Sequence, residues 1–324
     1  MPNVLTHGLM ANQTKQQMSE SRVLSAIKAH ENVYLFGSNG PDFLFYFNVW
    51  PWLDQDKATC VGDIGELMHR EKINAFVDTM VAIAQKQTSK ENQDIMIAYI
   101  AGYLCHWALD SVTHPLVFYR SGDLMGKAKY DHYRYESAID SKIVQHVYQD
   151  KLSKYPTRKF MNMSKYQEKV VAFLVSHAVE KVYDITLTKD DCLTCMKHAK
   201  QVLWFLFDPH TIWFDAIQLI ERLYFKKKWM FSSHMVIGRV DLNLDELNSN
   251  QEVWYNPTDP STPYRDSFMA LYERAIGRAK LTMIAFEKML QGEIDSLGNV
   301  VLDRSFDTGR SDGAPMLVFD NIYQ

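Results

Sequence analysis

The chain has 324 residues, 47% of them hydrophobic and 23% charged, with a formal net charge of −4. That length and balance allow one large domain, or two small ones, with a sizeable core. The acidic balance and the absence of a basic stripe weigh against a dominant nucleic-acid-binding surface.

Residues 1–7 have no basic start, apolar stretch or cleavage site, so no signal peptide is expected. Residues 3–30 carry a helical pattern, with Thr6 as the expected N-cap of a helix starting at His7. Residues 35–42 read as a loop from their Gly, Ser, Asn and Pro content. The aromatic run of residues 43–52 suits the core, a pocket mouth or lipid contact. A long helix is expected from about residue 62, with Met68, Ile73, Phe76, Met80 and Ile83 on one face. After a polar connector at 85–92 comes the most apolar stretch, about 95–109. It is short for a bilayer span and interrupted by His106. With no signal peptide, the expected location is the cytoplasm.

A Gly-containing loop follows at 121–126. A further helix is expected to run through His132 to about Leu152, before Tyr155-Pro156. Residues 164–184, 189–207 and 209–230 read as more helices. Cys60 and Cys105 are expected to be reduced core residues. Cys192-Leu-Thr-Cys195 has no second pair with which to build a zinc ribbon and is expected to put two thiols side by side on a helix. Lys226, Lys227 and Lys228 read as a solvated helix end. Residues 238–265 are irregular, and Asp266 to Leu290 is a long helix. No stretch shows the alternation of a strand. The expected fold class is all-α: one multi-helix domain over residues 1–290, with an irregular tail over 291–324.

The apolar stretch carries His106, Asp110 and His114 at intervals of four, a single stripe on one face of a helix. Burying such groups unpaired costs roughly 2–7 kcal/mol each, and a divalent metal is the partner that accounts for all three. His132 and Glu136 repeat the spacing nearby. Together they point to a multinuclear metal site between helices. A single His-x-x-x-Glu carries little weight; the register of the set carries the reading.

These residues, with His7, Asp42 in Gly40-Pro41-Asp42 and His69 ending Gly65-x-x-Met68-His69, resemble the zinc-dependent phospholipase C family. Single-strand-specific zinc nucleases share that architecture. The resemblance covers about residues 1–150 and implies a helical fold with up to three zinc ions in a cleft. It implies that Asp42, His69, His106 and Asp110 hold the first ion. His114, His132 and Glu136 would hold the second, and His7 and Asp110 the third. In the family an N-terminal Trp exposed by signal-peptide removal completes the third site. Pro2 stands five residues before His7, and excision of Met1 would give it a free secondary amine, so two readings stand: Pro2 replaces the Trp, or Met1-Pro2 is an ordinary start and His7 a helix-start histidine.

Imidazole and carboxylate without thiolate suit a hydrolytic zinc site. The expected function is a phosphodiester hydrolase of phospholipase C type, acting on a phospholipid or a smaller phosphodiester, with possible membrane-surface contact. Asp42 is the expected general base as well as a ligand, and Arg134 is expected to be a surface or supporting cation. The alternatives are a single-strand nuclease, for which the aromatic run could stack bases, and a non-catalytic protein stabilised by zinc.

Overall fold

The computed structural model describes residues 4–126 and 128–324. Pro2 therefore lies outside the described residues. The chain begins with α1 (Val4–Gln16), α2 (Arg22–Ala29) and α3 (Glu31–Gly37), followed by a tight 3₁₀ turn over Gly40–Tyr46. Next come α4 (Gln55–Arg70), α5 (Ile73–Gln85), α6 (Lys90–Ser121) and α7 (Ala128–Lys142). After these stand α8 (Lys165–Tyr183), α9 (Lys189–Leu206), the short strand β1 (Phe207–Asp208) and α10 (Ile212–Ile220). The chain closes with β2 (Val236–Ile237), β3 (Trp254–Asn256), β4 (Asp259–Tyr264), α11 (Phe268–Leu290) and α12 (Gly298–Val301). The fold is all-α, with two minor two-stranded sheets: β1 with β2 in parallel, and β3 with β4 antiparallel.

The 32-residue α6 is the axis. It packs most extensively against α11 and α3, and also touches α1, α2, α5, α7 and α8. Its length and apolarity would suffice to cross a bilayer, but its apolar stretch is wholly buried inside the protein. Tyr99, Tyr103 and Trp107 on α6 are fully buried. The crossing of α6 with α3 is close. A Cβ on Gly102 would lie 2.1 Å from the Tyr34 carbonyl oxygen, and one on Gly37 would lie 2.4 Å from that of Tyr99. Only glycine at both positions lets the two backbones come so near.

Six of the described α-helices start on a side-chain cap. Ser21, Asp54, Ser89 and Ser267 each accept the N–H three residues on. Ser164 and Thr188 build reciprocal capping boxes with Gln167 and Asp191. Thr6 is different. It lies inside α1, and the cap comes from a distance: the Asp140 carboxylate on α7 accepts from the N–H of Leu5 (3.2 Å) and Thr6 (2.9 Å) and from Thr6 Oγ1 (2.6 Å).

Other boundaries move for local reasons. Residues 35–42 are not one loop, because α3 runs to Gly37 and Asp42 sits in the 3₁₀ turn. The pattern across 62–83 splits into α4 and α5 at Lys72, whose φ is 54°. α7 ends at Lys142 and continues as a wide π turn over Ile143–Val147. The segment 209–230 is helical only as the nine-residue α10 and a π turn over Glu221–Phe225. Strand pairing was not expected within 238–265, where β3 and β4 form a hairpin with a register shift at Tyr255/Asn256.

The C-terminal residues lie along the helical body. The Arg304 carbonyl accepts from Trp107 Nε1 (2.9 Å), and the Phe306 N–H donates to the His69 carbonyl (2.9 Å). The N–H groups of Asp320 and Ile322 donate to the carbonyls of Tyr119 and Arg120. Arg134 is held in this layer rather than at a free surface, with its guanidinium 4.0 Å from the ring centroids of both Trp229 and Tyr323.

Candidate metal centre

Side chains four apart on α6 stack into a column, and this column meets α1, the 3₁₀ turn, α4 and α7 at one place. Asp110 Oδ2 lies 3.0 Å from His106 Nε2, and Asp110 Oδ1 lies 3.5 Å from His114 Nε2. From α1, His7 Nε2 approaches the same Oδ1 at 3.1 Å. The 3₁₀ turn brings Asp42 Oδ1 to 3.0 Å from His69 Nε2 of α4 and 3.7 Å from His106 Nε2. On α7, Glu136 Oε1 is 3.3 Å from the Nε2 atoms of both His114 and His132. His7, Asp42, His69, His106, Asp110, His114, His132 and Glu136 are thus brought together by five segments.

All five imidazoles turn Nε2 inward. Three are fixed from behind, which sets ring orientation and tautomer. His69 Nδ1 donates to the Gly65 carbonyl (2.7 Å) and His106 Nδ1 to that of Ser38 (3.1 Å). Ser121 Oγ gives its proton to the Val117 carbonyl (2.6 Å), so it accepts from His132 Nδ1 (3.0 Å). Phe306, from the C-terminal segment, packs on His69 and His106 with ring centroids 5.0 and 5.5 Å apart. His7 and His106 stack at 4.2 Å.

The donor set fits a metal. Ligand atoms of His7, His106 and Asp110 lie within 4.8 Å of one another, as do those of Asp42, His69 and His106. His106 Nε2 is fully buried and makes no hydrogen bond of usable direction, although Asp110 Oδ2 is near. A cation between imidazole and carboxylate relieves that orphan atom. Burial pushes the Asp110 carboxyl up, but His106, His114 and His7 outweigh it and hold it well below the usual range. Burial likewise raises Asp42, while His106 and His69 bring it below its ordinary value. Both acids therefore stand ionised, as ligands must. Asp42, Asp110 and Glu136 all line the cleft, and the side chain of Asp42 is the more exposed, 19% against 3% for Asp110.

That cleft has a volume of about 770 Å³ and is lined by every member of the cluster except the buried His106. Phe45, Tyr46, Trp50 and Trp52 form one wall, so the aromatic run divides: Phe43, Leu44 and Phe47 pack the core, and the others face the cleft. Leu206, Phe225 and Phe231 line the cleft as well. Arg70 and Lys129 also line it, and Arg70 is paired with Asp307 at 2.8 Å.

A comparison with known protein families matches residues 6–191 to the zinc dependent phospholipase C family, more than half of the chain and all eight clustered residues. The protein belongs to the zinc-dependent phospholipase C family. No curated protein and no solved structure matches it. As a zinc-dependent phospholipase C-type protein it is a hydrolase with zinc as its cofactor.

Two contributors to this phospholipase C-type site carried no signal in the sequence. Asp140 sets the start of α1, and with it His7, from more than a hundred residues away. Phe306 is an isolated aromatic in a Gly/Asp-rich stretch. The cysteines stand apart from the centre. Cys192 and Cys195 are buried free thiols on α9, and burial raises both. Cys60 is exposed rather than in the core, because α4 turns that face to solvent. His198 accepts from the Asn48 N–H at 3.1 Å and serves the packing of α9. A Cys192→Ser/Cys195→Ser double variant is expected to keep its full zinc content and turnover, measured by metal analysis and a phosphodiesterase assay. Loss of zinc there would move the centre to α9.

Proposed function

We propose that the protein hydrolyses the phosphodiester bond of a phospholipid, with zinc held by His7, Asp42, His69, His106, Asp110, His114, His132 and Glu136. The observation that carries this reading is the joining of an imidazole and carboxylate cluster to a long apolar lining in one cleft. A polar headgroup ester and an apolar chain need those two surfaces side by side. A single-stranded nucleic acid needs a cationic track along its backbone, and Arg70, which with Lys129 supplies the Lys and Arg side chains lining the cleft among the described residues, is already paired with Asp307.

Zinc in such a site supplies Lewis acidity, which acidifies water and offsets the charge of a phosphodiester. The chain's own residues do the rest. Asp42, ionised and turned toward the cleft, is placed to take the proton of attacking water. His69 restrains it through the 3.0 Å contact with Asp42 Oδ1. Phe45, Trp50 and Phe306 exclude bulk water around the cluster, which strengthens the electrostatics within it. The Nδ1 hydrogen bonds of His69, His106 and His132 keep the rings from turning as substrate enters.

Zinc-loaded protein is expected to release the phosphorylated headgroup from short-chain phosphatidylcholine and to leave single-stranded DNA intact. DNA cleavage with no lipid turnover would replace this reading with the nuclease one. Asp42→Asn removes the base and the charge while keeping size and one coordinating oxygen. It is expected to lower kcat by roughly 10²–10³-fold, within the range for a general base, with most zinc retained. Wild-type kcat at full metal loading would remove Asp42 from the chemistry.

A further inference from the structure

Beyond α9 the usual polarity of a surface segment is inverted. Asp208 and Glu221 are 3% and 1% exposed, whereas Trp213, Leu223 and Tyr224 are 62%, 66% and 82% exposed. The two acids are spent on backbone. Asp208 accepts from the N–H groups of Ile212 (3.0 Å), Trp213 (2.7 Å) and Phe214 (2.9 Å), capping α10. Glu221 accepts from the N–H groups of Trp229 (3.1 Å), Phe231 (2.5 Å) and Ser232 (2.9 Å) and from Ser232 Oγ (2.7 Å). The segment is pinned at both ends, so its outward apolar side chains belong to a built surface. Of α10, Phe214 alone is buried.

Two further observations say what covers this surface. The first is continuity: Ile217, Ile220, Phe225 and Phe231 of the same segment line the cleft that holds the metal-ligand cluster. The second is charge. Lys226, Lys227 and Lys228 stand exposed immediately after the apolar turn, with Arg222 beside them. Exposed apolar patches of this kind mark interaction sites. Trp and Tyr with a flanking basic cluster are the chemistry of the membrane–water interface. A two-fold pairing of copies over the same patch would place two such cationic clusters in one interface, which disfavours it.

We propose that residues 212–228 form a docking surface for a phospholipid bilayer containing anionic lipid, seating the cleft on the membrane. Trp213, Leu223 and Tyr224 enter the boundary between headgroups and chains, and the three lysines meet the anionic headgroups. The proposal rests on the phospholipid reading of the cleft and adds the surface from which the substrate is drawn.

The test uses the full-length, zinc-loaded protein with vesicles of phosphatidylcholine alone or mixed with phosphatidylserine, read by co-sedimentation. The wild type is expected to bind mixed vesicles better than neutral ones, and less well as salt rises. A Trp213→Ser/Leu223→Ser/Tyr224→Ser variant is expected to lose at least about tenfold in binding to both. A Lys226→Glu/Lys227→Glu/Lys228→Glu variant, which alters only exposed side chains, is expected to lose at least about tenfold on mixed vesicles alone. Both variants should keep wild-type zinc content and wild-type hydrolysis of short-chain phosphatidylcholine below its micelle concentration. Failure of the wild type to bind either vesicle overturns the proposal, as does unchanged binding by both variants. A wild-type dimer that the apolar variant dissolves, without vesicle binding, also overturns it and makes the patch a contact between copies. Absence of hydrolysis by the wild type, with vesicle binding intact, instead sinks the phospholipase reading.

Discussion

Asp110→Asn is expected to lower kcat/KM on short-chain phosphatidylcholine on the order of 10³-fold, equivalent to about 4 kcal/mol of transition-state stabilisation. Zinc should be lost in parallel. Asp110 is the residue on which both halves of the cluster converge, with His7 and His114 on Oδ1 and His106 on Oδ2. Asparagine keeps the volume, but it replaces one carboxylate oxygen with an amide donor and removes the charge. Three inward-facing Nε2 atoms then lose the anion that offsets a cation among them. Substitutions behind the cluster are expected to be milder, since they disturb orientation rather than charge. The measurements are metal analysis after dialysis and turnover at saturating zinc. A full zinc complement with wild-type turnover would show that the proposed hub is not one.

The reason Asp110 stood out in the sequence is also the reason much else did not. Helical periodicity and the repeat of four are local, so the column His106, Asp110, His114 could be read from α6 alone, and its neighbours His132 and Glu136 from α7. Asp42 and His69 entered by family resemblance, because their 3.0 Å contact joins two elements through tertiary packing. Nothing local could show that Asp140 caps α1 or that Phe306 covers His69. Both depend on chain segments more than a hundred residues apart meeting around α6.

The missed boundaries share another cause. The division of α4 from α5 rests on Lys72 taking a left-handed conformation, which its residue type does not advertise. The β3–β4 hairpin holds Pro260 and Pro263 and a register shift, so it shows no alternation. The segment 209–230 reads as one helix in the sequence, whereas only Ile212–Ile220 is α-helical. Its outward-facing residues became visible only once Asp208 and Glu221 were found turned inward. Composition counts apolar residues; it does not say which side of the backbone they take.

Gly40→Ala is the substitution expected to do the most damage to the centre for the smallest chemical change. Gly40 has φ +52°, in the left-handed region, and an alanine there is strained by about 1–2 kcal/mol. The larger effect is a collision. A Cβ on Gly40 would lie 2.1 Å from His106 Cδ2 and 2.7 Å from His106 Nε2. His106 is fully buried, and its Nδ1 is tied to the Ser38 carbonyl at 3.1 Å, two residues before Gly40. The ring therefore cannot retreat without breaking that bond or pressing on His7, stacked 4.2 Å away. Overpacking of this kind adds about 1–3 kcal/mol. The variant is expected to melt several degrees lower and to bind less zinc, with activity falling on the order of 10²-fold as the ring moves, about 2.7 kcal/mol. Gly292→Ala serves as the control. Gly292 has φ +73°, with nothing within 4 Å of the added Cβ among the described residues, so it isolates the backbone strain from the collision. Equal losses of stability in the two variants, with zinc content unchanged in both, would mean that Gly40 is kept for its turn alone and not for the place it leaves to His106.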